Sequence, residues 1–534
     1  MAAEVTPTAA PRPEWMEYTS SNRITIMVAL MMGTLMQMID TSIVNVAVPT
    51  MQGNLGATLD QISWVATGYI LANVITLPLT GWLSHLFGRR YYLAGSMALF
   101  TLASLFCGMA GNLPMLIFFR MLQGVGGAAL MATAQATMME IFPPAQLGMV
   151  QAVFGVGVMV GPALGPTLGG WLVDNFTWPW IFYINIPVGI LATFLTMIFM
   201  HDSKYERQHG SRVDLIGILL LAVGLGSLQT LLEKGTREGW FQSTLIVWLT
   251  AGAVVGVIGF IVWELRVPHP VLNLRVLRHR GFSAGVVFGT VIGFGLYGGM
   301  FILPVFLQGI RRYTAMQSGL IMIPGAIATA LAMPIAGRLV NRTVPRNITA
   351  LGMVGAVVSM FMLRTIDAQT GSAQILWPLI LRGASLGLIF VPMTIATLAG
   401  LPGREMAEGS ALFNLMRQLG GSAGIAYLST FINHRLDGHY QVLAENITLY
   451  NPAAVTRLQG LSQFFVSRGY DASTAGQQAL SVVQKTVLQQ SAIMSYQDAF
   501  VLMGFVFLAT MPLLLLFEKR SPMKGQGKPA AHLE

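Results

Sequence analysis

The stretch Met27 to Pro49, MVALMMGTLMQMIDTSIVNVAVP, decides how this chain is read. It is longer than the ~20 apolar residues with which a helix crosses a hydrocarbon core of about 30 Å, and it holds one carboxylate, Asp40. A charge at that depth costs about 2.5–3.5 kcal/mol on insertion scales. A carboxylate kept at that cost faces a bundle interior. Its expected work is to carry a proton or meet a cation, the plainer alternative being a polar contact between helices.

Similar apolar blocks recur near 24–49, 62–83, 92–112, 114–138, 147–173, 181–200, 213–232, 244–263, 282–308, 317–340, 348–363, 375–400, 408–432 and 496–517, fourteen in all. The chain is 54% hydrophobic and 10% charged, against about 25% charged in soluble proteins. The fold class predicted is therefore an all-α membrane protein. The polar N-terminus and the length of the first block do not suit a cleavable signal. The single cysteine, Cys107, allows no intrachain disulfide.

The net charge of +9 does not imply nucleic acid, because most Lys and Arg fall in alternate short loops. That pattern places the basic loops and both termini on the cytoplasmic side. The eight histidines are scattered. With no metal-ligand spacing, catalytic triad or phosphate-binding glycine loop, the sequence predicts no metal, no cofactor, no enzyme and no ATP-driven pump.

The chain also repeats. Gly81–Arg90 (GWLSHLFGRR) follows the second block and Gly337–Arg346 (GRLVNRTVPR) follows the tenth, each after a proline, Pro78 or Pro334. Arg120 in the fourth block matches Arg382 in the twelfth. Two parallel six-span halves with an inserted pair, spans seven and eight, account for both matches. The organisation expected is a cytoplasmic tail over 1–23, a six-helix bundle over 24–200, the inserted pair with its linkers over 201–281, a second bundle over 282–517 with an outer loop at 433–495, and a cytoplasmic tail over 518–534.

At a rise of 1.5 Å per residue, Asp40 lies about 24 Å above the inner face and Arg120 about 9 Å below the outer one. The two share a depth, where opposition between burial and an adjacent cation can tune proton affinity. Gln37, Asn45 and Gln123 lie at helical spacings from this pair and either line a cavity or join helices. Arg382 and Arg417, the other intramembrane cations, bind either backbone carbonyls or anionic substrates. The position matching Asp40 in the second half falls near Gly295, so no carboxylate is expected there. Gly157, Gly161, Gly165 and Gly169 form a groove for a neighbouring helix. With Gly170 and the kinking residues Pro162 and Pro166, that groove makes either a rocking seam or simple tight packing. Some of the 33 methionines are expected to line an adaptable cavity.

Taken in order, these strings resemble the major facilitator superfamily, and within it the fourteen-span drug:proton antiporters of the EmrB/QacA type. The first span's Asp40–Pro49, the inner-loop motif with Gly81, His85, Gly88, Arg89 and Arg90, and the fourth-span Arg120–Gly126 are similar to that subfamily. So are the fifth-span Gly157–Gly170, Trp178–Gly189 and Phe413–Gly424. The resemblance implies two six-helix bundles plus two inserted helices, proton coupling through Asp40 and Arg120, and export of amphipathic small molecules across a bacterial inner membrane. It also implies a periplasmic adaptor and an outer-membrane channel as partners, with the outer loop either docking the adaptor or forming a self-packed cap. A dedicated exporter of one amphiphile, such as a fatty acid or bile salt, is the alternative. His85 stands where the family's loop usually carries an acid, and Leu86 where it carries a base, so the usual latch is either missing here or made differently.

Overall fold

The computed structural model describes residues 16, 18–201, 214–268, 270–448 and 450–516. The predicted C-terminal tail, most of the N-terminal tail and the linker 202–213 lie outside the described residues.

The first half comprises α1 (Ser20–Leu55), α2 (Leu59–Thr76), α3 (Thr80–Phe87), α4 (Arg89–Gly108), α5 (Leu113–Ile141), α6 (Leu147–Asn175), α7 (Trp180–Tyr183) and α8 (Asn185–Phe199). The inserted pair is α9 (Leu215–Lys234) and α10 (Thr244–Arg266). The second half comprises α11 (Arg280–Gly309), α12 (Ala315–Val340), α13 (Pro345–Leu363), α14 (Ser372–Leu398), α15 (Gly403–Glu445), α16 (Pro452–Ser467) and α17 (Ala472–Thr510). Pro78 interrupts the second span with a 3-10 turn, Leu77–Leu79, so α2 and α3 are two parts of one crossing.

Among the described residues thirteen helices are long and apolar enough to cross a membrane. The predicted span missing from these, 408–432, lies within α15 and does not qualify by composition. Ser410, Asn414 and Arg417 are buried within it, so its polarity faces protein and not lipid.

The two halves repeat their packing. α1 lies on α6 and α8, and α11 lies correspondingly on α15 and α17. α5 holds α2 and α4, as α14 holds α12 and α13. The repeat extends to the caps: Thr58 and Gln61 close a capping box at the start of α2, and Thr314 and Gln317 close its counterpart at α12.

The halves meet tightly at the end that bears the two repeated loops. A β-carbon on Gly148 of α6 would lie 2.1 Å from the Gly337 carbonyl oxygen of α12. One on Gly81 would lie 2.9 Å from Glu408 Cγ of α15. Asn341 donates to the Ala145 carbonyl at 2.9 Å, and Ser410 to that of Ala132 at 2.8 Å. Toward the opposite end α9 stands between α2 and α15, bonded to both.

The segment 433–495 is continuous with the spans and not a separate loop. α15 runs on to Glu445, and α17 begins at Ala472 and continues into the last span. α16 starts at Pro452, with Asn451 as its cap. Arg435 and His439 of α15 both reach Asp498 of α17, at 2.8 and 2.9 Å.

Candidate functional site

Asp40 is fully buried, and Arg120 is 1% exposed. Arg120 Nη1 donates to Asp40 Oδ2 at 2.6 Å. The other carboxylate oxygen accepts from Gln123 Nε2 at 2.9 Å and from Asn185 Nδ2 at 3.0 Å. Arg120 also donates to Gln123 Oε1 at 2.7 Å and, through Nε, to the Val65 carbonyl at 3.1 Å. Ser104 accepts from Gln123 and Asn185 and donates to the Phe182 carbonyl. The guanidinium lies 4.3 Å from the centroid of the Tyr69 ring. Every span of the first half except α6 thus contributes a group to this network. Desolvating two ions costs several kcal/mol each, and their attraction offsets that only when the remaining lone pairs and protons are satisfied. Here both carboxylate oxygens are.

Gln37 lies on the same face of α1, buried against Tyr69. The structure does not bring Asn45 into the cluster. It is exposed and bonds back to the Thr41 carbonyl at 3.5 Å, because five residues along a helix turn it about 140° from Asp40. Sequence reasoning missed Asn185, Ser104 and Tyr69. Asn185 was the most accessible of these, as an amide in the apolar string INIPVG.

Gly157, Gly161, Gly165 and Gly169 receive α1, the helix that carries Asp40. A β-carbon at Gly161 would lie 2.5 Å from Met38 Cβ, and one at Gly165 would lie 1.8 Å from Ser42 Oγ. Gly170 points away, with nothing within 4 Å. Pro162 and Pro166 sit inside a helix that continues through both.

In the inner-loop motif Gly88 has φ +81, a conformation that favours glycine, where α4 begins. Arg89 pairs with Glu140 of α5, and Arg90 donates to the Met197 carbonyl, so both arginines bind within their own half. His85 is partly exposed. The acid facing this loop across the halves is Glu408, packed on Gly81.

Arg382 has no carboxylate partner among the described residues and donates to the Gly299 carbonyl at 3.0 Å. It lines a small cavity of about 30 Å³ between the halves, with Met159, Met300 and Met322. Arg417 donates to Asn414 Oδ1 at 2.8 Å and contacts the Met131 sulfur. Asn414 in turn donates to Gln135 of the first half at 2.7 Å. Arg417 therefore belongs to a polar seam between the halves. No His, Cys, Asp and Glu cluster capable of holding a metal is present among the described residues.

The family model described as Major Facilitator Superfamily matches residues 30–425. The "Multidrug export protein EmrB" of Escherichia coli (strain K12) is 34% identical over 95% of this chain and 97% of its own length. The "Fatty acid resistance protein FarB" of Neisseria gonorrhoeae is 32% identical over 92% of this chain and 95% of its own. The crystal structure of the human organic anion transporter MFSD10 shares the fold, with a TM-score of 0.59 at 12% identity over 91% of this chain and 99% of its own. The chain belongs to the major facilitator superfamily and is an integral membrane transporter.

Proposed function

We propose that the protein is a proton-driven multidrug exporter that releases amphipathic small molecules by alternating access. The observation that carries this reading is the fully buried Asp40, bonded to Arg120, Gln123 and Asn185 at the heart of the first half. The kinship with a named multidrug export protein over nearly the whole chain supports it.

Charge distribution orients the repeated loops and both termini toward the cytoplasm of a bacterial inner membrane. In that orientation the tightly packed end is the inner one, and the buried Asp40 and Arg120 exchange protons with the outer side. A proton reaching Asp40 from outside neutralises the carboxylate and removes its attraction for Arg120. Arg120 keeps the Val65 carbonyl and Gln123 as acceptors, so it stays in place while α1 becomes free to move. α1 lies in the glycine groove of α6, which crosses to α12 of the other half. The groove is therefore a seam along which protonation turns into rocking. When the site opens inward the proton leaves, and cargo taken up inside is carried out. The helical extension at 433–495, whose α16 buries none of its residues, suits a periplasmic adaptor, which would connect to an outer-membrane channel.

A second reading, export of one anionic amphiphile, is favoured by Arg382. It supplies a buried guanidinium with no carboxylate bonded to it among the described residues, beside a water-sized cavity that cargo would have to widen, and FarB is named for fatty acid resistance.

The test uses vesicles with an imposed pH gradient, following ethidium together with lumenal pH. Wild type should move ethidium against proton flow, and Asp40→Asn should not. Transport indifferent to the gradient would refute proton drive. Preference for a fatty acid over all cationic dyes would select the second reading.

A further inference from the structure

The inserted pair holds a carboxylate that the proposed coupling does not use. Glu233 lies in the last turn of α9, with its Oε2 buried and without a hydrogen-bond partner. Its Oε1 lies 2.5 Å from Thr67 Oγ1 of α2. The same hydroxyl lies 3.1 Å from the Ser63 carbonyl. A hydroxyl has one proton to give, and a carbonyl can only accept. If Glu233 is ionised, the Thr67 proton goes to it and the Ser63 contact is left without one. If Glu233 is protonated, it donates to Thr67, Thr67 donates to Ser63, and both contacts are hydrogen bonds. Protonation also removes the cost of a buried charge with one unbonded oxygen.

The surroundings tie this carboxyl to conformation. On one flank of α9, Glu233 meets Thr67, and Lys234 lies 4.3 Å from the Trp64 ring centroid. On the other, Gln229 donates to Ser422 of α15 at 3.0 Å, and Thr236 and Trp240 reach Thr430 at 2.9 Å. α9 is thus clipped between the halves at the end where α2 and α15 stand apart. The charges facing Glu233 are Lys234 on its own helix and Arg237 just beyond it, the latter 3.9 Å from Asp60 of α2. The facing stretch of α15, Ser422 to Thr430, contains no charged residue and one titratable group, Tyr427, and the near half of α10 contains neither.

We propose that Glu233 is a second proton-binding site, loaded and emptied from the outer face. Closing that face brings α2 toward α15 and displaces α9, so Glu233 loses Thr67 as its acceptor. Left beside Lys234 and Arg237, it returns its proton to the water on the side from which it came. External protons then favour the outward-facing state without being carried across. This rests on the exporter reading above and adds a regulatory proton to it.

The experiment measures initial transport rate in vesicles against pH on the outer face, at a fixed pH difference, together with the proton-to-cargo ratio. Glu233→Gln is permanently neutral and able to donate to Thr67. It should flatten the outer-pH dependence several-fold and leave the ratio unchanged. Glu233→Asp should restore a titration, and Thr67→Val should displace it. If Glu233→Gln does not fold, as judged by size exclusion in detergent, the other two variants carry the test. An unaltered pH profile in Glu233→Gln, or in Thr67→Val, overturns the proposal, and a changed proton-to-cargo ratio overturns the same-face assignment. A wild type that ignores the gradient sinks the antiport reading instead, and the two failures are thereby distinct.

Discussion

Arg120 and Arg382 occupy matching places in the two halves, and their surroundings differ in kind. Arg120 meets a carboxylate, an amide, a carbonyl and two aromatic rings. Arg382 meets one carbonyl and a small cavity. The reason is visible on α11. A β-carbon at Gly295, the position that spacing matches to Asp40, would lie 2.4 Å from the Phe507 ring. The residue that Arg382 bonds is Gly299, one turn further on, and it offers only its backbone. The repeat has kept the helices and their packing while confining the carboxylate–guanidinium pair to one half. The lesson is that the scaffold symmetry of a transporter and its chemistry are separable.

The comparison breaks first under removal of each arginine. Arg120→Ala leaves Asp40 buried and unpaired, which should cost about 3–5 kcal/mol, seen as a large fall in the thermal unfolding midpoint in detergent. Arg382→Ala gives up one hydrogen bond but relieves a desolvated cation, so its midpoint should move by about 1 kcal/mol or less. Equal losses would mean the two sites are energetically alike.

Asn185→Ala removes one of three donors to the carboxylate and should cost about 1.5–3 kcal/mol. It should also shift the pH profile of transport, which a purely structural residue would not do. Gly161→Ala should cost about 1–3 kcal/mol by overpacking against Met38 and slow transport. Gly170→Ala, which meets nothing, should be neutral or stabilising by up to about 1 kcal/mol. If the two alanines behaved alike, the groove would not be the seam. Asn414→Ala cuts the link between Arg417 and Gln135 and should cost about 1 kcal/mol, seen as easier opening of the inner end in a cysteine-accessibility assay.

Much of this was legible in the chain because it is local. Span length, the two loop copies and the one-face placement of Gln37 and Asp40 follow from hydropathy and helical spacing. Asp40 and Arg120 could be brought to one depth by counting residues. What resisted reading depends on contacts between distant segments. Asn185 reaches the carboxylate from α8 and Ser104 supports it from α4, and no spacing rule on α1 or α5 points to them. Asn45 was close in sequence and wrong in azimuth. α15 hides its polar residues against the other half, so composition alone undercounts it as a span. The bridging by α9 was invisible because Glu233 looks like an interfacial charge until Thr67 is placed beside it.

The central claim is that Asp40 couples transport to protons and is not required to bind cargo. Substrate counterflow across vesicles with no pH gradient separates these two roles when Asp40→Asn is compared with wild type. The account predicts that the variant exchanges labelled for unlabelled cargo at close to the wild-type rate yet fails to accumulate it when a gradient is imposed. Gradient-driven accumulation by Asp40→Asn at the wild-type rate would contradict it.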